Sequence, residues 1–235
     1  MANYLAAARE LIDLAERPAR EVEEAVERSE AESLATGFLA GAAGLSRLLL
    51  CAEENGLSDY AAPTRRALGE FVAAVGWLAN DGSTAVRDLK HRFVDSQKRI
   101  KNSASGTDYD VSADAIKACE KLVEVFGAEM PKNVNTSTGP HVRSYVEKYH
   151  TPWLLETQRA HPTITSAGYV LDTAEEGAPL TAIGGSLPPV PGAQLVCALL
   201  VHGIDFLARI AGTTEARYSE LEDVLRRHGV LDQGE

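Results

Sequence analysis

The stretch AQLVCALLVHGIDFLARIAG, residues Ala193 to Gly212, is the most apolar part of the 235-residue chain and indicates its fold class. It carries His202, Asp205 and Arg209, which a membrane-spanning helix would have to bury at considerable cost. We therefore expect a buried helix of a soluble protein. Ala, Leu, Glu and Arg dominate much of the remaining sequence, and the β-branched alternation typical of strands is rare. The sequence thus predicts an all-α, multi-helix bundle with an up-and-down core.

The composition restricts the class of partner and the compartment. A formal net charge of −11 disfavours nonspecific binding to nucleic acid, because phosphate contacts need clustered Lys and Arg, and no DNA-binding motif is present. Cys51, Cys119 and Cys197 form no CxxC pair, so neither a zinc knuckle nor a redox dithiol is predicted. The N-terminal residues lack the basic start and apolar core of a secretory signal. We expect a cytoplasmic protein without a membrane segment or a cofactor.

Helical periodicity divides the chain into segments joined by polar connections. Pro18 bends or splits the first of them, and a short turn at 81–83 returns the fourth antiparallel to the third. No repeat or strong linker divides the chain, so a single domain spanning residues 1–235 is expected. The predicted helices lie at about 4–29, 31–54, 60–79, 84–101, 112–126, 143–162, 193–212 and 213–229.

The segment RSYVEKYHTPWLLETQRAHP, residues 143–162, carries a row of polar side chains. Read as one helix, steps of three and four residues place this row on a single face. Pro152 could kink that helix. Alternatively, Thr151 could cap a new helix with Pro152 at its first position, and the row would then consist of two halves that meet at an angle. The row comprises Arg143, Glu147, His150, Leu154, Thr157 and His161.

Arg143 and His150 form an Arg-x6-His pair two helical turns apart. A guanidinium can hold a phosphate with two hydrogen bonds, and an imidazole can transfer a proton near neutral pH. These are the two roles needed to cleave RNA through its own 2′-hydroxyl. The alternative is an ordinary ion pair between Arg143 and Glu147, with His150 partly exposed.

Two carboxylate-x-x-His pairs suggest a different site, a di-iron or di-manganese centre in a helical bundle. The geometry argues against this site. With the rise per residue of an α-helix, Glu70 and Asp88 would differ by about 7 Å in their height along the two helices that the short turn joins. We therefore expect no metal site. The full ligand set would comprise Glu147, His150, Asp88, His91, Glu70 and either Glu120 or Glu124.

Arg66 and Glu70 lie one turn apart on an otherwise apolar helix, RRALGEFVAAVGWLAND, residues 65–81. A half-buried pair at this position needs further polar partners to offset its desolvation. Thr157 and His161, also one turn apart, are the candidates for a structural polar network with this pair. The alternative is an ordinary intrahelical ion pair that contributes little to stability.

Two of these segments together resemble a bacterial family of helical proteins of unknown function at the edge of the HEPN superfamily. Residues 65–81 carry an Arg-x3-Glu followed by an aromatic-Leu end. Residues 145–163, YVEKYHTPWLLETQRAHPT, are similar to that family's Tyr…Ser-x3-His-Pro helix, with Thr157 in place of the usual Ser. The resemblance covers about residues 35–212. It implies an α-helical bundle that often pairs with a second copy and forms a cleft at the dimer interface.

The superfamily resemblance also bears on activity. Catalytic HEPN proteins are metal-independent ribonucleases with an Arg-x4–6-His motif, which Arg143, Ser144 and His150 match at its longest spacing. In that reading Arg143 holds the scissile phosphate, His150 is the general base or acid, and Ser144 or Glu147 orients them. The resemblance to the family at the edge of the superfamily rests more on Arg66, Glu70 and His161 than on the catalytic motif. Resemblance to that family implies no activity.

Two functions therefore remain as hypotheses, and the first is slightly favoured. One is a noncatalytic binding or regulatory module in a defence or toxin–antitoxin setting, in which Arg66, Glu70, Thr157 and His161 fix the packing of helices. The other is a metal-independent endoribonuclease that uses Arg143 and His150. We expect a homodimer with an RNA or protein partner. The basic edge of a cleft between two subunits could be formed by Arg65, Arg87, Lys90 and Arg92.

Overall fold

The structure is a computed structural model that describes residues 2–21, 28–104, 117, 120, 121, 124, 139–160 and 191–231. Within these residues the chain forms seven α-helices and one short 3-10 helix, and it contains no strand. The predicted all-α, multi-helix fold is therefore confirmed. The helices are α1 (Tyr4–Arg20), α2 (Glu30–Glu54), α3 (Ala62–Ala104), α4 (Gly139–Tyr145), α5 (Glu147–Ala160), α6 (Gly192–Ala211) and α7 (Thr214–Arg227).

The first two helices begin and end with recognisable local signals. The side chain of Asn3 accepts a hydrogen bond from the backbone N–H of Ala6 at 3.2 Å and caps α1. Ser29 caps α2 in the same way, with its hydroxyl 3.1 Å from the backbone nitrogen of Glu32. Helix α2 ends at Glu54, with Asn55 as its C-cap and Gly56 at φ 69°, as the sequence predicts. The predicted first helix is too long, since α1 ends at Arg20, two residues beyond Pro18.

Helix α3 is divided by a single glycine. Gly82 has φ 47° and ψ −115°, which is not a helical conformation and lies where only glycine is comfortable. The sequence places two helices at about 60–79 and 84–101, and the break at Gly82 confirms that division. Only residues 117, 120, 121 and 124 of the predicted helix at 112–126 are described, and they are helical.

The chain divides into two compact units, one formed by Met1–Asn80 with Thr138–Glu235 and the other by Asp81–Ser137. The expectation of one domain across residues 1–235 stays a prediction. In the first unit α6 packs against α1, α2 and α7. Its apolar residues, including Leu195, Leu199, Leu200 and Ile204, are almost completely buried, as expected for this stretch.

The beginning and the end of the first unit lie side by side. The backbone nitrogen of Asn3 donates a hydrogen bond to the carbonyl oxygen of His228 at 2.9 Å. Two ion pairs join α1 to the C-terminal part of the chain, Arg17 with Glu220 at 2.9 Å and Glu10 with Arg227 at 2.8 Å. Helix α1 is therefore fixed against α7 as well as against α2.

Helices α2 and α6 are each long and apolar enough, by length and composition, to cross a membrane. Their most apolar windows have a mean hydropathy of 1.6, and 44% and 56% of these windows are buried within the protein. A core helix of a soluble protein has the same properties, so this finding is weak evidence in either direction. The cytoplasmic location stays a prediction.

The segment 139–160 bends at Val146, between α4 and α5. The backbone nitrogen of Val146 still donates a hydrogen bond to the carbonyl oxygen of Val142 at 3.0 Å. The backbone nitrogen of Tyr149 donates one to the carbonyl oxygen of Val146 at 2.8 Å. Pro152 lies inside α5, so the alternative of a new helix capped by Thr151 is wrong. The chain changes direction nearly two turns before the proline.

Candidate functional site

Helix α5 is fixed to α3 through Tyr149. The phenol hydroxyl donates a hydrogen bond to the carbonyl oxygen of Arg65 at 2.7 Å. The ring lies against Gly69, where a Cβ atom would come within 2.1 Å of Tyr149 Cε1. Burial raises the pKa of Tyr149 far above its ordinary value of 10.0, and the negative charge of Glu156 acts in the same direction. Only glycine allows α3 and α5 to approach this closely.

A buried ion pair lies next to this contact. Arg65 Nη2 is 3.0 Å from Glu156 Oε2, and the two side chains are 1% and 4% exposed. Arg65 Nη1 also donates a hydrogen bond to the carbonyl oxygen of Ser58 at 2.6 Å. The expectation that Arg65 contributes to a basic surface rim is therefore wrong, because its guanidinium is buried next to the carboxylate of Glu156.

The Arg66–Glu70 pair has a third member, Trp153. Arg66 Nε donates to Glu70 Oε1 at 2.9 Å, and Trp153 Nε1 donates to the same oxygen at 3.2 Å. The guanidinium of Arg66 also lies over the indole, 5.8 Å from the ring centroid. The Thr157 hydroxyl donates to the carbonyl oxygen of Trp153 at 2.7 Å. Trp153 is therefore the partner of the Arg66–Glu70 pair on α5. Thr157 bonds a backbone carbonyl of its own helix and His161 lies outside the described residues, so the four-residue network stays a prediction.

The structure places the two residues of the nuclease hypothesis on different helices. Arg143 is exposed on α4, and His150 is half-buried on α5, beyond the bend at Val146. The imidazole of His150 stacks with the Trp153 ring, with centroids 6.0 Å apart and planes 18° apart. Among the described residues, no ion pair joins Arg143 to Glu147. The polar row is therefore interrupted between its first and third members.

A cavity of about 600 Å³ opens between residues 144–152 and the first turns of α6. Neither Arg143 nor His150 lines it, whereas Ser144 and Glu147 do. Most of its wall is apolar and comes from both sides of the opening. The apolar wall comprises Val146, Tyr149, Pro152, Leu195, Ala198 and Leu199. No pattern in the sequence predicts this cavity.

The polar side chains of the cavity are concentrated on the same two elements. Ser144, Glu147 and Lys148 contribute from one side, and Gln194 and His202 from α6. Burial lowers the pKa of His202, the carboxylate of Asp205 raises it, and the positive charges of Lys148 and Arg209 lower it. Lys148 and His202, which are far apart in sequence, both line the cavity.

The carboxylates and histidines considered for a di-metal centre are used differently. Within the described part of the chain, no group of three or more His, Cys, Asp or Glu side chains could hold a metal ion. Glu70 accepts hydrogen bonds from Arg66 and Trp153 instead. In the second unit, Asp88 pairs with Arg87 at 3.1 Å. The di-metal alternative therefore has no assembled site among these residues.

Comparisons with family models, curated proteins and solved structures gave no match for this chain. The resemblance to the HEPN superfamily stays a prediction.

Proposed function

We propose that the protein is a noncatalytic, HEPN-like helical module that acts by binding a ligand in a defence or toxin–antitoxin setting. One observation carries the proposal: the charged residues at the α3–α5 contact are engaged in packing, and the open cavity next to them is lined mostly by apolar side chains. A catalytic centre places its acid, base and charge-stabilising groups around one reacting atom. At the α3–α5 contact the charged residues are paired with one another and with Trp153 instead.

The contacts of α5 support this assignment. Arg65 with Glu156 and Arg66 with Glu70 and Trp153 hold α5 against α3 at two successive positions. Tyr149 and Pro152 on the same helix form part of the cavity wall. The polar cluster therefore fixes the position of one side of the cavity. A preformed apolar cavity of this size is typical of a site for a small molecule.

A metal-independent ribonuclease is the second candidate, and the exposure of Arg143 favours it. An exposed guanidinium can reach an RNA phosphate, and the adjacent Ser144 lines the cavity. His150 would then transfer the proton. The binding module is preferred because Arg143 and His150 lie on separate helices and neither lines the cavity.

An RNA cleavage assay separates the two functions. The purified full chain is incubated with single-stranded and hairpin RNA in the presence of a chelator, beside His150→Ala, Arg143→Ala and the control Arg209→Ala. Arg209 is exposed on α6 and is not among the residues of the cavity wall. We expect no cleavage above the buffer blank. Cleavage by the wild type and the control that both His150→Ala and Arg143→Ala lose would establish the ribonuclease and overturn the module.

A further inference from the structure

The cavity between residues 144–152 and α6 has the dimensions of a ligand site. Its volume of about 600 Å³ lies within the range of about 300–1,000 Å³ common for small-molecule pockets. Helix α3 also packs against the helices that form its wall. A Cβ atom at Gly76 would lie 2.8 Å from both Phe206 Cε2 on α6 and Tyr145 Cβ on α4. Helix α3 therefore packs tightly against α4 and α6, the two helices on either side of the opening.

The apolar part of the wall selects a hydrocarbon. Ala198 is exposed and Pro152 is half-buried, so these two side chains present apolar surface to the cavity, and the nearly buried Val146, Leu195 and Leu199 lie around them. The charged Glu147 and Lys148 also line the cavity, and most of the remaining wall offers an apolar surface. An aliphatic or aromatic body that displaces water from this surface gains free energy in proportion to the apolar area covered.

The charges at the opening favour an anionic head group. Lys148 is exposed, and within the described residues its ammonium forms no ion pair. The imidazole of His202 lines the same cavity and supplies a hydrogen-bond donor. The carboxylate of Glu147 also lines the cavity, so a ligand with several negative charges would be repelled. One negative charge at the end of an apolar body fits both observations.

We propose that this cavity binds a small amphipathic monocarboxylic acid, with its hydrocarbon part against Leu195, Ala198 and Leu199 and its carboxylate at Lys148 and His202. The inference rests on the proposed function and names the ligand class of the same site. It requires no chemical step. The carboxylate accepts hydrogen bonds from the ammonium and the imidazole, and the hydrocarbon part replaces water in the cavity.

Titration with decanoate below its critical micelle concentration tests the ligand class. Binding to the full chain is measured by calorimetry, and the site is located from the chemical-shift changes of Leu195, Ala198 and Leu199. Decan-1-ol and decyltrimethylammonium have the same hydrocarbon length with a neutral and a positive head group. We expect decanoate to bind most tightly and decyltrimethylammonium most weakly. Equal binding of all three, or shifts located elsewhere, would overturn the proposal.

Two variants with matched controls separate the contributions of head group and hydrocarbon. Lys148→Met should weaken decanoate binding about threefold to fivefold, as expected for one exposed charge pair, while the exposed Lys121→Met should leave it unchanged. Ala198→Phe should fill the cavity and abolish binding, and Ala216→Phe, at an exposed position of α7, should not. Binding by Ala198→Phe equal to that of the wild type would overturn the proposed site.

The two proposals fail in distinguishable ways. If decanoate does not bind and RNA is not cleaved, the ligand class is wrong and the noncatalytic module stands. If RNA is cleaved in a manner that depends on His150, the proposed function is wrong whatever the calorimetry gives. Chemical-shift changes confined to the cavity wall, together with loss of binding in Ala198→Phe, would establish the site.

Discussion

The guanidinium of Arg65 lies 3.0 Å from the carboxylate of Glu156, and both side chains are almost inaccessible to solvent. The pair joins α3 to α5 inside the first unit. Desolvating two charges costs free energy that their attraction only partly returns, so the pair need not stabilise the protein more than two apolar residues would. Removing one partner is different, because it leaves the other charge buried and uncompensated.

Arg65→Met and Glu156→Leu are each expected to lower the free energy of unfolding by about 3–5 kcal/mol. The double variant should recover most of that loss, because neither charge is then buried alone. Urea unfolding of the four proteins gives the coupling energy. Arg9→Ala is the control, since Arg9 pairs with Glu54 at an exposed position and should cost less than about 1 kcal/mol. If Arg65→Met and Glu156→Leu lower the free energy of unfolding no more than Arg9→Ala does, the expectation is contradicted.

Tyr149→Phe is expected to change the alkaline stability of the protein. The raised pKa of the folded phenol means that the unfolded chain loses its proton first as the pH rises. The stability contributed by the neutral phenol is therefore fully present below the ordinary pKa of 10.0 and falls progressively above it. The phenylalanine variant should lose about 1 kcal/mol near neutral pH through the missing hydrogen bond, and should show a smaller alkaline decrease.

Denaturant unfolding on both sides of pH 10.0 measures this difference. Tyr218→Phe serves as the control, because Tyr218 is 64% exposed. It should behave like the wild type at every pH. Parallel stability profiles for wild type and Tyr149→Phe would show that Tyr149 ionises as readily in the folded protein as in the unfolded chain.

Gly69→Ala is expected to destabilise the protein despite the higher helix propensity of alanine. The new methyl group would come within 2.1 Å of the Tyr149 ring, which must move together with α5. Such overpacking costs about 1–3 kcal/mol. Gly37→Ala in α2 is the matched control, because no atom lies within 4 Å of its new methyl group, and it should gain about 0.5–1 kcal/mol. Thermal unfolding followed by circular dichroism should give melting temperatures shifted in opposite directions; equal shifts would refute the close contact.

Glu53→Ala is expected to loosen the first turn of α6. The two carboxylate oxygens of Glu53 accept hydrogen bonds from the backbone nitrogens of Gly192 and Ala193, each at 3.1 Å. Loss of this cap should cost about 1–2 kcal/mol. Glu54→Ala, one residue further along, removes only an exposed pair with Arg9. Hydrogen exchange at the first amides of α6 should accelerate in Glu53→Ala and not in Glu54→Ala; the reverse order would exclude the cap.

The helices could be predicted from the sequence because their apolar residues recur with the helical period. These apolar rows also include the two charged residues of the buried ion pair. Glu156 continues the row of Val146, Tyr149 and Trp153, and Arg65 lies one turn before the buried Leu68. A charged residue that extends an apolar row must find a partner. Which partner it finds depends on two helices separated in sequence, so the pairing of Arg65 with Glu156 could not be derived from local pattern.

The bend at Val146 and the cavity could not be predicted for a related reason. Pro152 lies inside α5, yet the chain bends earlier, at Val146. On either side of the bend, Tyr145 packs at Gly76 and Tyr149 at Gly69, both on α3. These contacts belong to the tertiary structure. The cavity likewise combines residues 144–152 with α6, two segments that no sequence periodicity relates.

The hydrogen bond between Asn3 and His228 has a consequence for how the protein folds during synthesis. Helix α1 is synthesised before α6 and α7, which pack against it. The nascent chain therefore carries α1 and α2 with one side uncovered until α6 and α7 have been made, and that surface can associate with other chains or with a chaperone. The first unit can be completed only after α6 and α7 have left the ribosome.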